Sequence, residues 1–322
     1  MRILLTAIGK RVQLIKYLEG EFEIIGVDAS DLAPASYFVN KFYKVPKFTE
    51  DGYIEELLKV CRIENIKVLI PLYELEFSLL SKNREKFNEV GTTILLSNTE
   101  IIEVCNDKMK TYEYLTSKDI ECPKCYKDEE IEEMIFKSEE EKLPLIIKPR
   151  DGMGSSNVFK INKIEELEFF YKYVRKPLVQ QFVEGDEYTV DVLCDFNGQP
   201  IYVVPRERLE VRAGEVVKSK TVKDKQIIDY TLNLIEVFNE LRDSKGIALM
   251  GPLTFQFFKT EEGQVFFLEL NPRFGGGVPL SIEAGANYGK AIKKMINGED
   301  ISFNEGLKEL TMLRFDDSIF VK

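Results

Sequence analysis

The 322-residue chain contains no histidine at all. That absence excludes every acid–base or nucleophilic scheme that depends on imidazole. Cysteine is sparse as well: there are five, an odd number, scattered along the chain, a pattern of reduced thiols rather than of a disulfide framework. Cys122-Pro123-Lys124-Cys125 has C-x-x-C spacing. With no histidine and no second cysteine pair it lacks the other ligands of a zinc site, and its context is not the strand-to-helix junction of a redox motif. No apolar run approaches the roughly 20 residues of a transmembrane helix. Met1-Arg2 leads directly into Ile3-Leu4-Leu5-Thr6, which is strand length rather than a leader. The expectation is a cytoplasmic protein that binds no membrane. A long basic run is also missing, and the net charge of -11 argues against a general nucleic-acid binder.

What is present is an ordinary globular composition, 44% hydrophobic and 31% charged, in a chain long enough for two or three packed lobes. The first hundred residues alternate. Strands are expected at Arg2–Ala7, Phe22–Asp28, Val68–Leu72 and Thr93–Leu96, and helices at Arg11–Glu19, Tyr53–Glu64 and Glu76–Val90. That rhythm predicts a small parallel sheet flanked by helices. The turn Thr6-Ala7-Ile8-Gly9-Lys10-Arg11 lacks G-x-G-x-x-G, so Asp28 at the end of the second strand does not make a nicotinamide site.

From Asn106 the texture changes. Helices are expected at Asp107–Lys118, Glu129–Lys142 and Ile164–Tyr173, with a hairpin of Leu145–Lys148 and Val158–Ile161 and a strand at Leu178–Phe182. Beyond Glu184-Gly185 the chain is strand-rich, at Glu187–Asp195, Pro200–Pro205, Gly251–Lys259 and Gln264–Asn271, with a helix at Gln226–Leu241. The expected lobes are residues 1–105, 106–182 and 183–322.

The most informative stretch is Phe266-Phe267-Leu268-Glu269-Leu270-Asn271-Pro272-Arg273. Strict strand alternation places Phe267, Glu269 and Asn271 on one side. A carboxylate and an amide oxygen two residues apart suit a hard cation, and Arg273 follows at the stiffened strand end. In Gly251–Lys259, Thr254, Gln256 and Phe258 share a face, and a turn at Glu261-Glu262-Gly263 brings Gln256 opposite Glu269. Gln256, Glu269 and Asn271 are therefore the candidate magnesium ligands. A polar solvent face on an edge hairpin accounts for Gln256 easily and for Glu269 less well.

Upstream, Lys148 precedes a glycine–serine loop with Gly152, Gly154, Ser155 and Ser156. Here the lysine lies before the glycines and a strand follows them, so it is not a P-loop. Such a loop can fold N–H groups over phosphates while the lysine reaches them from beneath; standing alone it is also a hairpin with a flexible tip. Lys108 opens a helix and by itself reads as a surface residue. Gln180, Gln181, Phe182 and Val183 join two lobes and offer backbone groups to an adenine edge, with Glu187 placed to accept from ribose hydroxyls. Arg206, Arg208 and Arg212 are either a solvated face or contacts to an anionic substrate. Gly275-Gly276-Gly277 allows close backbone approach and an anion nest.

Taken in order, these pieces resemble the ATP-grasp superfamily over essentially the whole chain, most closely its stand-alone carbamoyl-phosphate-synthase-like members and the related pyrrolysine-biosynthesis ligase. The resemblance implies an α/β and α+β chain: an ATP-grasp fold with an N-terminal parallel-sheet pre-ATP-grasp domain. It implies ATP with two magnesium ions, manganese being a substitute. Lys108 and Lys148 take the positions of the phosphate-contacting lysines, Gly152–Ser156 the mobile flap, and Gln180 to Val183 the adenine hinge. Glu187 takes the ribose position, Gln256, Glu269 and Asn271 the metal positions, and Arg273 that of the arginine on the transferred phosphoryl group. Arg206, Arg208, Gly275 and Gly276 are candidates for substrate. The chain departs from the family in having Gln180-Gln181 where the hinge glutamate–lysine pair usually stands. It is also one unit where a full synthase has two and a glutaminase partner. The implied activity is carboxylate–amine ligation through an acylphosphate, with small-molecule carboxylate and amine partners and a homodimer as the assembly. The alternatives are a carbamate or carboxylate kinase and a non-catalytic ATP-binding regulatory subunit. Glu207, Glu74 and Glu76 are the candidate bases.

Overall fold

The computed structural model describes residues 1–152, 154, 156–303 and 307–321. Its first sheet is parallel throughout, built from β1 (Arg2–Thr6), β2 (Glu23–Asp28), β3 (Lys41–Lys44), β4 (Val68–Pro71) and β5 (Thr93–Ile94) in the order β3-β2-β1-β4-β5. A parallel sheet covered on both faces needs unbroken apolar strands, and here successive residues feed two cores. Ile3, Leu5, Ile24, Val68 and Ile70 enter one, while Leu4, Ile25, Val27 and Leu69 enter the other. The first core continues into Val204, Phe274 and Tyr288, so this face of the sheet is shared with the C-terminal part of the chain.

The second sheet is antiparallel: β6 (Cys125–Tyr126), β7 (Leu145–Pro149), β8 (Phe159–Ile161) and β9 (Pro177–Gln181), in the order β6-β9-β7-β8. The helices Asp128–Lys137 and Ile164–Tyr173 cover one face, burying Ile131, Met134, Ile164 and Leu167 against Leu145, Ile147 and Val179. Alternation then presents Ile146, Lys148 and Gln180 on the other face.

The third sheet carries β10 (Asp186–Cys194), β11 (Pro200–Arg212), β12 (Glu215–Thr221), β13 (Gly251–Lys259), β14 (Val265–Asn271) and β15 (Thr311–Leu313), in the order β14-β13-β10-β11-β12-β15. The helix Lys225–Asn239 packs Ile227, Leu234, Ile235 and Phe238 on it beside Phe255, Phe257 and Phe267. No described helix is long and apolar enough to cross a membrane.

Several elements differ from the sequence expectation. The helix expected over Glu76–Val90 is a 3-10 turn, Glu74–Glu76, and two short helices, Phe77–Lys82 and Arg84–Glu89, broken at Asn83, whose side-chain amide donates to the Leu79 carbonyl at 2.9 Å. The helix expected to reach Lys142 stops at Lys137, where Ser138 turns left-handed at φ 53. The strand expected to end at Pro205 runs on to Arg212 and returns as β12 through Ala213 and Gly214, at φ 50 and 77. Two helices, Val278–Glu283 and Tyr288–Asn297, follow the triglycine and escaped the periodicity reading.

The register of β13 and β14 confirms one expectation and corrects another. Gln256 lies opposite Glu269 and Thr254 opposite Asn271, but Phe257 lies opposite Phe267, because a bulge interrupts the ladder there. Phe267 therefore does not share a face with Glu269; it is buried in the same core as Leu270. Strict alternation would leave one of those two large side chains outside, forfeiting roughly 1.5–3 kcal/mol of burial. The extra residue lets both point inward and leaves Glu269 and Asn271 at the cavity.

Candidate functional site

A cavity of about 410 Å³ lies between the second and third sheets, walled by residues of both, by Glu74 and Leu75 of the 3-10 turn that follows β4, and by the helix start at Lys108. It is lined by Lys108, Lys148, Gly152, Gly154, Ser156, Gln180, Gln181, Phe182, Val183, Glu187, Arg208, Gln256, Glu269, Asn271 and Arg273. Ser155, expected in the flap, lies outside the described residues.

Lys108 is the first residue of the helix Lys108–Thr116, whose N-cap Asp107 accepts from the Met109 N–H at 2.9 Å and the Lys110 N–H at 3.3 Å. The same carboxylate takes two bonds from Arg150 Nη2, at 3.0 and 2.9 Å, tying this helix to the flap's entry. Lys108 Nζ donates to the Gly152 carbonyl at 2.7 Å. The lysine thus rests on the flap it is expected to share phosphate with.

Lys148 is buried, and its ammonium makes one bond among the described residues, to Gln180 Oε1 at 2.9 Å. Burial pushes its pKa down to about 8, with Glu269 opposing that shift and Lys108 adding to it. The Gln180 side chain also donates to the Pro123 carbonyl and Cys125 Sγ, each at 3.3 Å. It is therefore spent on orienting Lys148, while Phe182 and Val183, beyond the end of β9, line the cavity. The C-x-x-C thiols show no sign of reactivity: burial pushes Cys122 up to about 12 and Cys125 up to about 11.

At the floor, Asn271 Nδ2 donates to Glu269 Oε1 at 2.9 Å with Gln256 on the facing strand. One carboxylate and two amides leave most of a magnesium shell to phosphate oxygens and water, which is how that ion is commonly held at nucleotide sites. The donor set fits the ion. Arg273 Nε pairs with Glu74 Oε1 at 2.5 Å, and the Thr254 hydroxyl donates to the Arg273 carbonyl at 2.9 Å. Glu187 pairs with Arg208, which also donates to the Gly214 carbonyl at 3.1 Å, while its buried Nε has no partner among the described residues.

Other expected residues fall elsewhere. Arg206 is fully buried and bonds Asp191 through Nε at 2.6 Å and Nη2 at 3.1 Å, with the Ser281 hydroxyl on the same carboxylate at 2.5 Å. It does not line the cavity, and a substrate contact there is corrected to an internal ion pair. Gly275 and Gly276 are likewise off the cavity wall; a Cβ on Gly275 would stand 2.9 Å from Asp191 Oδ1. Of the three candidate bases only Glu74 lines the cavity. Glu76 is buried and holds the hydroxyls of Thr6 and Tyr53, its pKa pushed up to about 7 by burial, and Glu207 pairs with Lys220 at 2.8 Å.

Sequence reasoning missed the contact between flap and hairpin. A Cβ on Gly214 would stand 2.6 Å from the Gly154 carbonyl. The only local sign of it is a glycine at a tight turn, which many hairpins share.

Residues 105–277, more than half of the chain, match the ATP-grasp domain family, and residues 3–95 match the PylC-like N-terminal domain. Among curated proteins, the carbamoyl phosphate synthase arginine-specific large chain of Halalkalibacterium halodurans is 26% identical over 247 residues, covering 72% of this chain and 22% of that one. The carbamoyl phosphate synthase large chain of Thermoanaerobacter sp. is 26% identical over 234 residues, covering 68% and 20%. This chain thus spans about a fifth of the length of those relatives. Among solved structures, N5-carboxyaminoimidazole synthetase from Staphylococcus aureus complexed with ADP aligns with a TM-score of 0.76 at 17% identity, over 98% of this chain and 82% of that one. The biotin carboxylase domain dimer of Hydrogenobacter thermophilus 2-oxoglutarate carboxylase, in complex with MgADP and bicarbonate, aligns at 0.73 and 18% identity, over 95% and 72%.

Proposed function

This chain belongs to the ATP-grasp family, and from that premise we propose that it is an ATP-dependent carboxylate–amine ligase working through an acylphosphate. The observation that carries the reading is the convergence of two lysines, a carboxylate–amide pair and an arginine from separate elements on one cavity.

A carboxylate oxygen of the acid substrate attacks the γ-phosphorus of ATP, the bond to the bridging oxygen breaks, and ADP leaves. An amine then attacks the acyl carbon and phosphate departs, giving the amide. The first step needs alignment and charge neutralisation more than proton transfer, which suits a chain without histidine. In this reading Phe182 and Val183 hold the base through backbone groups, Glu187 takes the ribose, and Lys108 and Lys148 hold phosphates. Glu269, Asn271 and Gln256 would hold magnesium, which when bound neutralises phosphate charge. Arg273, kept in place by Glu74, faces the transferred group. The flap excludes water from the acylphosphate.

The test is ADP and phosphate release with MgATP and single amino acids, bicarbonate, and pairs of amino acids. A pair-dependent signal with an amide product by mass spectrometry is expected. Release with one carboxylate alone would replace the ligase by a kinase that liberates its acylphosphate. Nucleotide binding with no turnover across the panel would leave a regulatory subunit.

A further inference from the structure

The turn after β1 ends in Arg11, a half-buried residue on the cap of the helix Val12–Glu19. The cations around it are neutralised: Arg273 by Glu74 at 2.5 Å, and Lys10 and Arg314 by Glu215 at 2.8 and 3.3 Å. The Arg11 guanidinium alone has no hydrogen bond or ion pair among the described residues. Four cations here face two carboxylates, Glu74 and Glu215. Burial and the nearby Arg273 pull the Arg11 pKa down to about 10, against the opposing charges of Glu215 and Glu74.

The triglycine supplies the space. Gly277 has no room for a side chain, since a Cβ would stand 2.3 Å from Arg206 Nη1, and Gly275 is pressed on Asp191. Gly276 is different. Among the described residues a Cβ there would meet only Arg11 Nη1, at 3.7 Å, and its φ imposes no need for glycine. Packing explains its two neighbours and leaves Gly276 unexplained, except as a residue that keeps the front of Arg11 open.

We propose that Arg11 and the space over Gly276, beside Arg273, form a subsite that binds a carboxylate of the acid substrate. The inference rests on the ligase reading and deepens it. The pre-domain then contributes a substrate-binding residue. A planar guanidinium suits a carboxylate through two parallel N–H···O bonds. Bicarbonate and the carboxylate of an amino acid share that chemistry.

The experiment has two arms. In the first, the carboxylate that stimulates ADP release is found among bicarbonate and the standard amino acids, and its KM is measured for Arg11→Ala, Arg11→Lys and Gly276→Ala at saturating MgATP. Arg11→Ala is expected to raise that KM by about 10–100-fold, Arg11→Lys by less, and Gly276→Ala to raise it by obstruction. The dissociation constant for ADP should stay within about twofold of the parent value. The same panel separates bicarbonate from amino acids as the source. The second arm needs no turnover: phenylglyoxal labelling of the full chain, mapped by peptide mass spectrometry, with each panel compound as protectant. Arg11 should be labelled in the free protein and protected by the stimulating carboxylate. A carboxylate KM unchanged in Arg11→Ala, or no protection by any compound, overturns the subsite even in an active ligase. Protection with no turnover would keep the subsite and remove the ligase reading.

Discussion

Arg206 and Arg208 lie two residues apart on the same strand, on the same face, and each pairs with a carboxylate on β10, Asp191 and Glu187. Their fates differ. The Arg206–Asp191 pair is 1% exposed on both sides, roofed by Ser281 and Gly277. The Arg208–Glu187 pair is 7% and 26% exposed and opens on the cavity. One local pattern thus yields an internal brace and a cavity wall, and what separates them is the chain that folds over one and not the other. A buried pair contributes little net stability over a well-packed apolar replacement, yet losing one partner is severe. A half-open pair can exchange its partner for ligand at small cost.

That contrast is open to direct attack. The largest effect is expected from Asp191→Ala, which leaves Arg206 charged and enclosed; it should lower unfolding stability by about 3–5 kcal/mol in a urea titration. A loss below about 1 kcal/mol would mean that the pair is no brace. Next comes Glu269→Gln, at the same sheet's far edge. It should lower kcat by at least about 100-fold, of the order seen when a charge-stabilising group is removed, with an unchanged unfolding midpoint. Near-normal turnover would remove Glu269 from the metal site. Glu187→Ala should weaken ADP binding by about tenfold while the urea midpoint moves little; a large stability loss instead would make the two arginine pairs alike after all.

The smallest effect is a pH profile from Lys148, a buried cation with an amide rather than a carboxylate for partner. Its protonated form attracts phosphate. With the folded pKa near 8 against an ordinary 10.5, calorimetric ADP affinity should fall as pH rises through 8. Stability should run the other way. Between 8 and 10.5 the unfolded chain binds the proton that the folded chain has released, so unfolding free energy rises with pH. An ADP affinity flat from pH 7 to about 9 would show that Lys148 holds no phosphate.

The Gly214 contact shows the limit of legibility from another side. Nothing local distinguishes this turn glycine from that of any hairpin, yet Gly154 of the flap lies against it, and no pattern of spacing relates residues 154 and 214. The helix breaks at Asn83 and Ser138 were also unreadable, because each helical stretch continues in polar and apolar residues past its stop.

By itself the sequence determined the parallel first sheet, since its apolar runs leave no other way to bury both faces. It placed Lys108, Lys148 with its glycine–serine loop, Gln180 to Val183 and Glu269 with Asn271 in the order that the ATP-grasp resemblance expects. It also excluded imidazole chemistry. Only the tertiary structure decided which charges face the cavity. The bulge at Leu268 sends Phe267 and Leu270 inward together and so aims Glu269 outward; the covering helix encloses Arg206; and the first turn delivers Arg11 to the triglycine 265 residues further on. Burial and long-range proximity fix the meaning of a charged side chain, and both are properties of the assembled chain.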